Sequence, residues 1–405
     1  MKRTKIAAID VGTTKICTVM ADVDDNKNIR ILGYGIVPSE GLERGLITNN
    51  KTAATSITQS IKKAEKMAGC RLRSAFVNVA GTQMQSQNSR GVVSIPHNNE
   101  LVRTTDQKRA LDVARNVEVP SERRLLHVIP RSYTLDGQPI NNPVGLYGFR
   151  LDVETHIVTA DSISVQNLTK CITSLGIGID GLVLTSLASA EAVLTEDERQ
   201  DGVVLADIGG VTTDVAVYRN GNVSYTSSLP IGGCHITNDI AIGMGLSVEL
   251  AEEIKLKYGN VLPSDNIDIT VTEQGYSISC HDLYEIIYAR IEELFRLILL
   301  RLPESNTQVI PSGLVITGGS ANLPGITRIG REVARLPVRA GTPLNLDNHS
   351  DTLSDPSYAT GIGLLYWKLM NGSSHAGNFS RSGWQIHLPK WLGYFRRQKI
   401  GAPQN

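Results

Sequence analysis

Two distant stretches of this chain follow one plan. Residues 7 to 23 read AAIDVGTTKICTVMADV, and residues 203 to 219 read VVLADIGGVTTDVAVYR. In each, an apolar run ends on an aspartate, a turn with glycine and two threonines follows, and a second apolar run begins. Partly β-branched runs on either side of a short polar break predict tight β-hairpins. An aspartate at the end of such a strand is explained if its charge is used. Asp10 and Asp207 are suited to hold the water shell of a divalent cation. Gly12, Gly209 and Gly210 let backbone N–H groups approach anionic oxygens, while Thr13, Thr14, Lys15, Thr212 and Thr213 add donors and a charge. One hairpin alone fits a polar turn facing solvent equally well. Two in one chain predict a pseudo-twofold molecule that grips a phosphate between two lobes.

A third element occupies residues 312 to 326, SGLVITGGSANLPGI, where a buried-looking strand runs into Gly318, Gly319 and Ser320. A turn without Cβ atoms lets the backbone come close to a flat nucleobase. Between the second and third elements, Gly232 and Gly233 open a helix, and a further helix carries Glu252 and Lys255. Three residues apart, these two lie on one helix face. By spacing alone they fit a surface ion pair.

Composition narrows the class. With 405 residues, 41% hydrophobic, the chain can bury a sizeable core and is expected to divide into two or more domains. Forty basic residues balance forty acidic ones, so no global charge steers it toward nucleic acid. Five scattered cysteines lack metal-ligand spacing and read as small core residues in a reducing compartment. The N-terminal apolar run is too short for a signal peptide, and no stretch is long enough for a membrane span. A cytoplasmic body is expected.

In this order, the three elements resemble the phosphate-1, phosphate-2 and adenosine motifs of the actin, Hsp70 and sugar kinase superfamily, across nearly the whole chain. The resemblance implies an α/β fold, a two-lobed actin-like ATPase, with ATP and Mg2+ as cofactors. It implies ribose contacts from Glu252 and Lys255. It also implies a catalytic role for Asp10, Asp207 and, on the helix SLASAEAVL, Glu191. Residues 82 to 160 form an insertion that reads as a small α+β module. Its strands are expected at GVVSI, LLHVIPRSYTL and FRLDVETHIVTA, with a helix from about Thr105 capped by that residue's own hydroxyl.

The phrases GLERGLITN, VIPRSYTLDG, VGLYGFRLDVETHIV and VLTEDERQDGVVLADIGGVTTDVAVY resemble the FtsA family of bacterial cell division proteins. The resemblance implies subdomain 1A over residues 1–82, 161–200 and 346–372, and the insert, 1C, over 83–160. It implies 2A over 201–235 and 310–345 and 2B over 236–309. In that family 1C docks on the neighbouring protomer and recruits later division proteins. The tail of the tubulin-like protein FtsZ docks on 2B, along the long helix DLYEIIYARIEELFRLILLRL. There Leu283, Ile287, Ile291, Leu294 and Ile298 read as a core stripe, and Arg290 and Glu293 match positions implicated in holding the tail.

The C-terminal end carries a separate signal. Residues 373–383 read as a flexible Gly/Ser/Asn linker, and no acidic residue follows Asp355. Over residues 384–400, Leu388, Trp391, Leu392 and Phe395 fall on one helical face, with Arg396 beside it and Lys390 and Arg397 roughly opposite. This predicts an amphipathic helix lying in a membrane interface, and a surface helix folded onto the body is the alternative. The expected function is an ATP-binding protein, with at most slow hydrolysis, that polymerises along the inner membrane and tethers FtsZ. A sugar or acetate type kinase and a pilus assembly scaffold share the fold and are the alternatives.

Overall fold

A computed structural model describes residues 3–25, 28–96, 100–262, 270–303, 310–346 and 351–371. β1 (Thr4–Val11) and β2 (Lys15–Val23) form the first hairpin, with Asp10 paired opposite Cys17. β3 (Ile29–Pro38) extends the meander, and the short pair β4 (Leu42–Glu43) and β5 (Leu46–Ile47) leads to helix α1 (Asn50–Ala68). Asn49 caps α1 by accepting from Lys51 N and Thr52 N, and Gly69 ends it at φ 64°. The buried face of α1 is Ala53, Ile57, Ile61 and Ala64, the spacing of an amphipathic helix. β6 (Ser74–Val79) then returns parallel to β1.

The insert follows: β7 (Gln85–Ser94), α2 (Thr104–Arg115), β8 (Arg123–Leu135), β9 (Gln138–Ile140) and β10 (Arg150–Asp161). Its sheet runs β7-β10-β8-β9 and, with α2, encloses its own core around Val93, Leu111, Tyr133, Leu151 and Val153. The strands lie where the sequence places them. The capping expectation is corrected: α2 begins at Thr104, so Thr105 is already inside the first turn. It is Asp106 that reaches back, accepting from Arg103 N at 3.0 Å. A carboxylate three residues past the cap can reach its N–H.

α3 (Ser162–Ser174), β11 (Gly178–Leu184), α4 (Thr185–Val193) and α5 (Glu196–Asp201) lead into the second lobe. There β12 (Val203–Ile208) and β13 (Thr213–Arg219) form the second hairpin, and β14 (Asn222–Leu229) extends it. Helices α6 (Gly233–Met244) and α7 (Val248–Tyr258), hairpin β15 (Thr270–Glu273) and β16 (Tyr276–Ser279), and α8 (Cys280–Arg301) come next. β17 (Leu314–Thr317), a 3₁₀ turn over Gly319–Asn322, α9 (Ile326–Ala334) and β18 (Val338–Ala340) complete the lobe. The first sheet has the order β11-β6-β1-β2-β3, and the second β18-β17-β12-β13-β14. The repetition visible in the two hairpins therefore extends to both sheets, strand for strand.

The last helix, α10 (Ala359–Asn371), returns to the first lobe and buries Ile362, Leu364, Leu365 and Trp367 in its core. It crosses α4 so closely that a Cβ at Gly363 would stand 1.8 Å from Ala188 O. On α8, Leu283, Ile287, Ile291, Leu294 and Ile298 are buried as their spacing predicts, joined by Phe295. Among the cysteines, Cys17 and Cys171 are buried while Cys70, Cys234 and Cys280 are only half-buried. No helix among the described residues is long and apolar enough to cross a membrane. The linker at 373–383 and the amphipathic segment at 384–400, with Leu388, Trp391, Leu392, Phe395, Arg396 and Arg397, lie outside the described residues.

Candidate functional site

The two hairpin turns close by the same bond. Gly12 N donates to Lys15 O at 3.1 Å, and Gly209 N donates to Thr212 O at 2.9 Å. Asp10 and Asp207 thus occupy equivalent stations two residues before each turn glycine. The threonine pairs do not: the register makes Lys15 the counterpart of Thr212, and Cys17 the counterpart of Asp214. Thr213 is fully buried, and its hydroxyl donates to Ile231 O at 2.8 Å. Thr13 Oγ1 accepts from Gly45 N at 3.1 Å. The Thr14 methyl fills the space a Cβ at Gly210 would need, 2.3 Å away, so the turns of the two lobes abut.

Asp10, Asp207 and Asp214 are all buried. Burial pushes Asp10 up to about 7, with Lys15 opposing the rise and Asp207 adding to it. Burial also raises Asp214 to about 7, again with a contribution from Asp207. Asp207 is raised by burial and steadied by two hydroxyls: Ser189 Oγ on α4 donates to its Oδ2 at 2.5 Å, and Thr360 Oγ1 on α10 at 3.1 Å. Burial lowers the pKa of Lys15, against the pull of Asp10 first and of Asp355 and Asp207 more weakly. Its ammonium lies 4.2 Å from the centre of the Tyr358 ring. The Ser228 hydroxyl, beside Asp214, opposes the rise of its pKa. Three buried carboxylates and one lysine gather where the two turns meet, and among the described residues no group of three His, Cys, Asp or Glu is placed to ligate a metal ion directly.

The other motifs converge on this cluster. Gly233 N donates to Gly209 O at 3.0 Å, Cys234 N to Gly210 O at 2.6 Å, and Ser320 Oγ to Gly209 O at 3.3 Å. A Cβ at Gly232 would stand 2.5 Å from Gly209 O. Lys255 Nζ bonds Glu252 Oε2 at 2.6 Å and Thr237 Oγ1 at 2.9 Å, and it reaches Gly233 O at 3.3 Å. The Glu252–Lys255 pair therefore stands at the α6 N-terminus and is more than surface decoration. The two glycines of the third element differ. Gly318 has φ 84°, and a Cβ there would lie 2.4 Å from Asp207 Oδ1, so the backbone conformation and its packing on the carboxylate both demand glycine. At Gly319 the nearest atom is Ser357 Oγ at 3.7 Å, which leaves room for a ligand.

Glu191 is not part of the cluster. Its Oε1 pairs with Arg199 at 2.8 Å, both side chains nearly buried. Residues two apart point to different helix faces, so with Ser189 on Asp207, Glu191 faces elsewhere. Ser189, Thr360 and Asp214 are the site residues the motifs missed; only Asp214, inside the second hairpin, left a signal in the sequence. In the second lobe Arg290 is committed: its Nε and Nη2 bond Asp239 of α6 at 2.5 and 3.0 Å, and it also pairs with Glu293. Glu293 keeps half of its side chain exposed.

Two sheets of one order, carboxylate-tipped hairpins facing each other and a glycine-rich third turn define a two-lobed protein of the actin-like ATPase fold. Solved structures share this fold: the PilM-PilN type IV pilus biogenesis complex (TM-score 0.66, 16% identity, 90% of this chain and 98% of that one) and MreB5 of Spiroplasma citri bound to ADP (TM-score 0.51, 14% identity, 91% and 96%). The family model for cell division protein FtsA matches residues 204–363, and that for the SHS2 domain inserted in FtsA matches 81–159. Cell division protein FtsA of Pseudomonas aeruginosa is 35% identical over 96% of this chain and 97% of its own length, and that of Escherichia coli K12 is 33% identical over 96% and 98%. The chain belongs to the FtsA family of cell division proteins. These relatives favour the division reading over the kinase and pilus-scaffold alternatives.

Proposed function

We propose that this cell division protein binds ATP with Mg2+ between its lobes, assembles into filaments on the inner face of the cytoplasmic membrane, tethers FtsZ there and recruits later septum proteins through its insert. The observation that carries the nucleotide part is the convergence of Asp10, Asp207 and Asp214 with Lys15 and the four turn glycines Gly12, Gly209, Gly210 and Gly233. Bound Mg2+ would neutralise the phosphates. Asp10 and Asp207 would hold its water shell, and Asp214 is placed to share that role. Lys15 and Thr14 would face the phosphate oxygens, and backbone amides of the glycine turns would donate to them. Glu252 and Lys255 would hold the ribose, with Gly319 and Ser320 beside the base.

The membrane and partner parts rest on the family and on the sequence. A Gly/Ser/Asn-rich run followed by a segment whose helical spacing places four apolar residues on one face, with no acidic residue after Asp355, suits reversible attachment to anionic lipid. One such tail binds weakly, and a row of tails on a filament binds through avidity. Glu293, exposed beside Arg290 on α8, suits a rim of the FtsZ-tail site. Co-sedimentation with anionic lipid vesicles tests the whole reading. Pelleting should increase with ATP, and the FtsZ C-terminal peptide should pellet only in its presence. Protein that stays in the supernatant with ATP and vesicles would overturn the tethering role.

A further inference from the structure

By chain connectivity the insert belongs to the first lobe: it leaves after β6 and re-enters at α3. Its root is packed there, with Leu126, Val158 and Ala160 in the first-lobe core. Yet one edge of its sheet is bonded to the other lobe. β14 is an outer strand of the second sheet, and β7 is an outer strand of the insert. Ser86 Oγ on β7 donates to Thr226 O at 2.7 Å, and Asn88 Nδ2 to Ser224 O at 3.4 Å. His156 on β10, paired opposite Asn88, completes the seam: Nδ1 lies 2.8 Å from Asn88 Oδ1 and Nε2 3.0 Å from Thr226 Oγ1. Burial lowers the His156 pKa to about 3, so the ring is neutral, with one nitrogen donating and the other accepting.

The lobes also meet where α4 and α10 cross, with Ser189 and Thr360 on Asp207. A body rooted in one lobe and bonded to the other cannot ignore the angle between them. Rotation must either carry the insert along or part the seam and strand buried polar groups. The outer part of the insert, with a core of its own, can tilt as a unit while its root stays in place. We infer that the Ser86–Asn88–His156 seam couples the angle between the lobes to the orientation of the insert, so that occupancy of the cleft is read out on the insert's outer face. This inference rests on the proposal that the cleft takes ATP.

Hydrogen exchange on the full chain, with and without Mg-ATP, tests it, with ATP affinity measured alongside by calorimetry. In the wild type, ATP should slow exchange across Gln85–Ser94 and Thr104–Arg115 by about tenfold. In S86A/N88A, which touches no cleft residue, ATP affinity should be unchanged and the same segments should respond by less than about twofold. If that double variant fails to fold, S86A alone, which removes one hydroxyl, takes its place with a response between the two. An equal response in wild type and variant, or none in a wild type that binds ATP, would overturn the coupling. Failure of the wild type to bind ATP at all would overturn the nucleotide reading, and the coupling with it.

Discussion

Replacing Asp207 by asparagine and by alanine should separate two things this carboxylate does. Both hydroxyls that bracket it, from Ser189 and Thr360, point at the same oxygen, Oδ2, and lie 3.0 Å from each other. In Asp207→Asn a carbonyl oxygen can take the Oδ2 seat, so both hydroxyls keep their acceptor. A charge that burial disfavours is also removed. The melting temperature should therefore stay within a degree or two. In Asp207→Ala the two hydroxyls can bond to each other, which leaves one bond lost rather than two. A buried polar group left short of a partner costs about 1–3 kcal/mol, so the alanine variant should melt measurably lower. For Mg-ATP both lose a charged acceptor, worth about 1.5–3 kcal/mol, or about 10- to 100-fold in affinity. Calorimetry and thermal melts on the two variants provide the comparison. A folded Asp207→Asn that binds Mg-ATP as well as wild type would refute the assignment of this carboxylate to the cation. An Asp207→Ala as stable as Asp207→Asn would refute the hydroxyl bracket.

Five further outcomes are expected. Because the folded pKa of Asp10 is raised from 3.8 to about 7, the native state holds a proton that the unfolded state has released. Stability should fall as pH rises from about 4 to 7, by on the order of a few kcal/mol from Asp10 and a similar amount from Asp214; Asp10→Asn should remove about half of that slope in pH-dependent melts. Glu293→Lys should weaken binding of the FtsZ C-terminal peptide without changing ATP affinity, and fluorescence anisotropy would show it. Arg290→Glu should in addition lower the melting temperature, since Asp239 loses its bidentate partner. Trp391→Glu should abolish vesicle flotation while leaving the melting temperature and ATP affinity as they are; a destabilised variant that still floats would place Trp391 on the body. Gly363→Ala forces apart two helices that a Cβ would meet at 1.8 Å. It should cost several kcal/mol in denaturant titrations and weaken ATP binding by separating Ser189 from Thr360.

What the sequence reveals here is whatever depends on near neighbours. The hairpins, the α8 stripe and the insert strands are periodic patterns over a few residues, and they stand where those patterns place them. The equivalence of Lys15 with Thr212 was hidden, because matching the threonine pairs by eye ignores which carbonyl closes each turn. Glu191 and Ser189 stand two residues apart on one helix, enough to turn one toward Arg199 and the other toward Asp207. Ser189 and Thr360 could not be found by pattern. They lie 171 residues apart and meet only because a glycine lets α4 and α10 cross at backbone distance. Gly318 was legible as a glycine that must be there, but its reason is a carboxylate from another strand.

The return of α10 to the first lobe also sets a timetable for synthesis. One face of the second lobe's sheet has a core drawn from residues 204 to 338 and can close as soon as that stretch has emerged, while its other face, with Val203, Leu205, Ala216 and Val315, packs into the first-lobe core. The first lobe cannot. Its strands begin at Thr4, yet Ile362, Leu364, Leu365 and Trp367, which seal it, are made only after the whole second lobe. A ribosome therefore releases a back half packed on one face while the front half still exposes apolar strand surface, and a contact of such long range closes slowly. Truncation anywhere before Ala359 should leave the N-terminal lobe open and dependent on chaperones, however complete its own sheet.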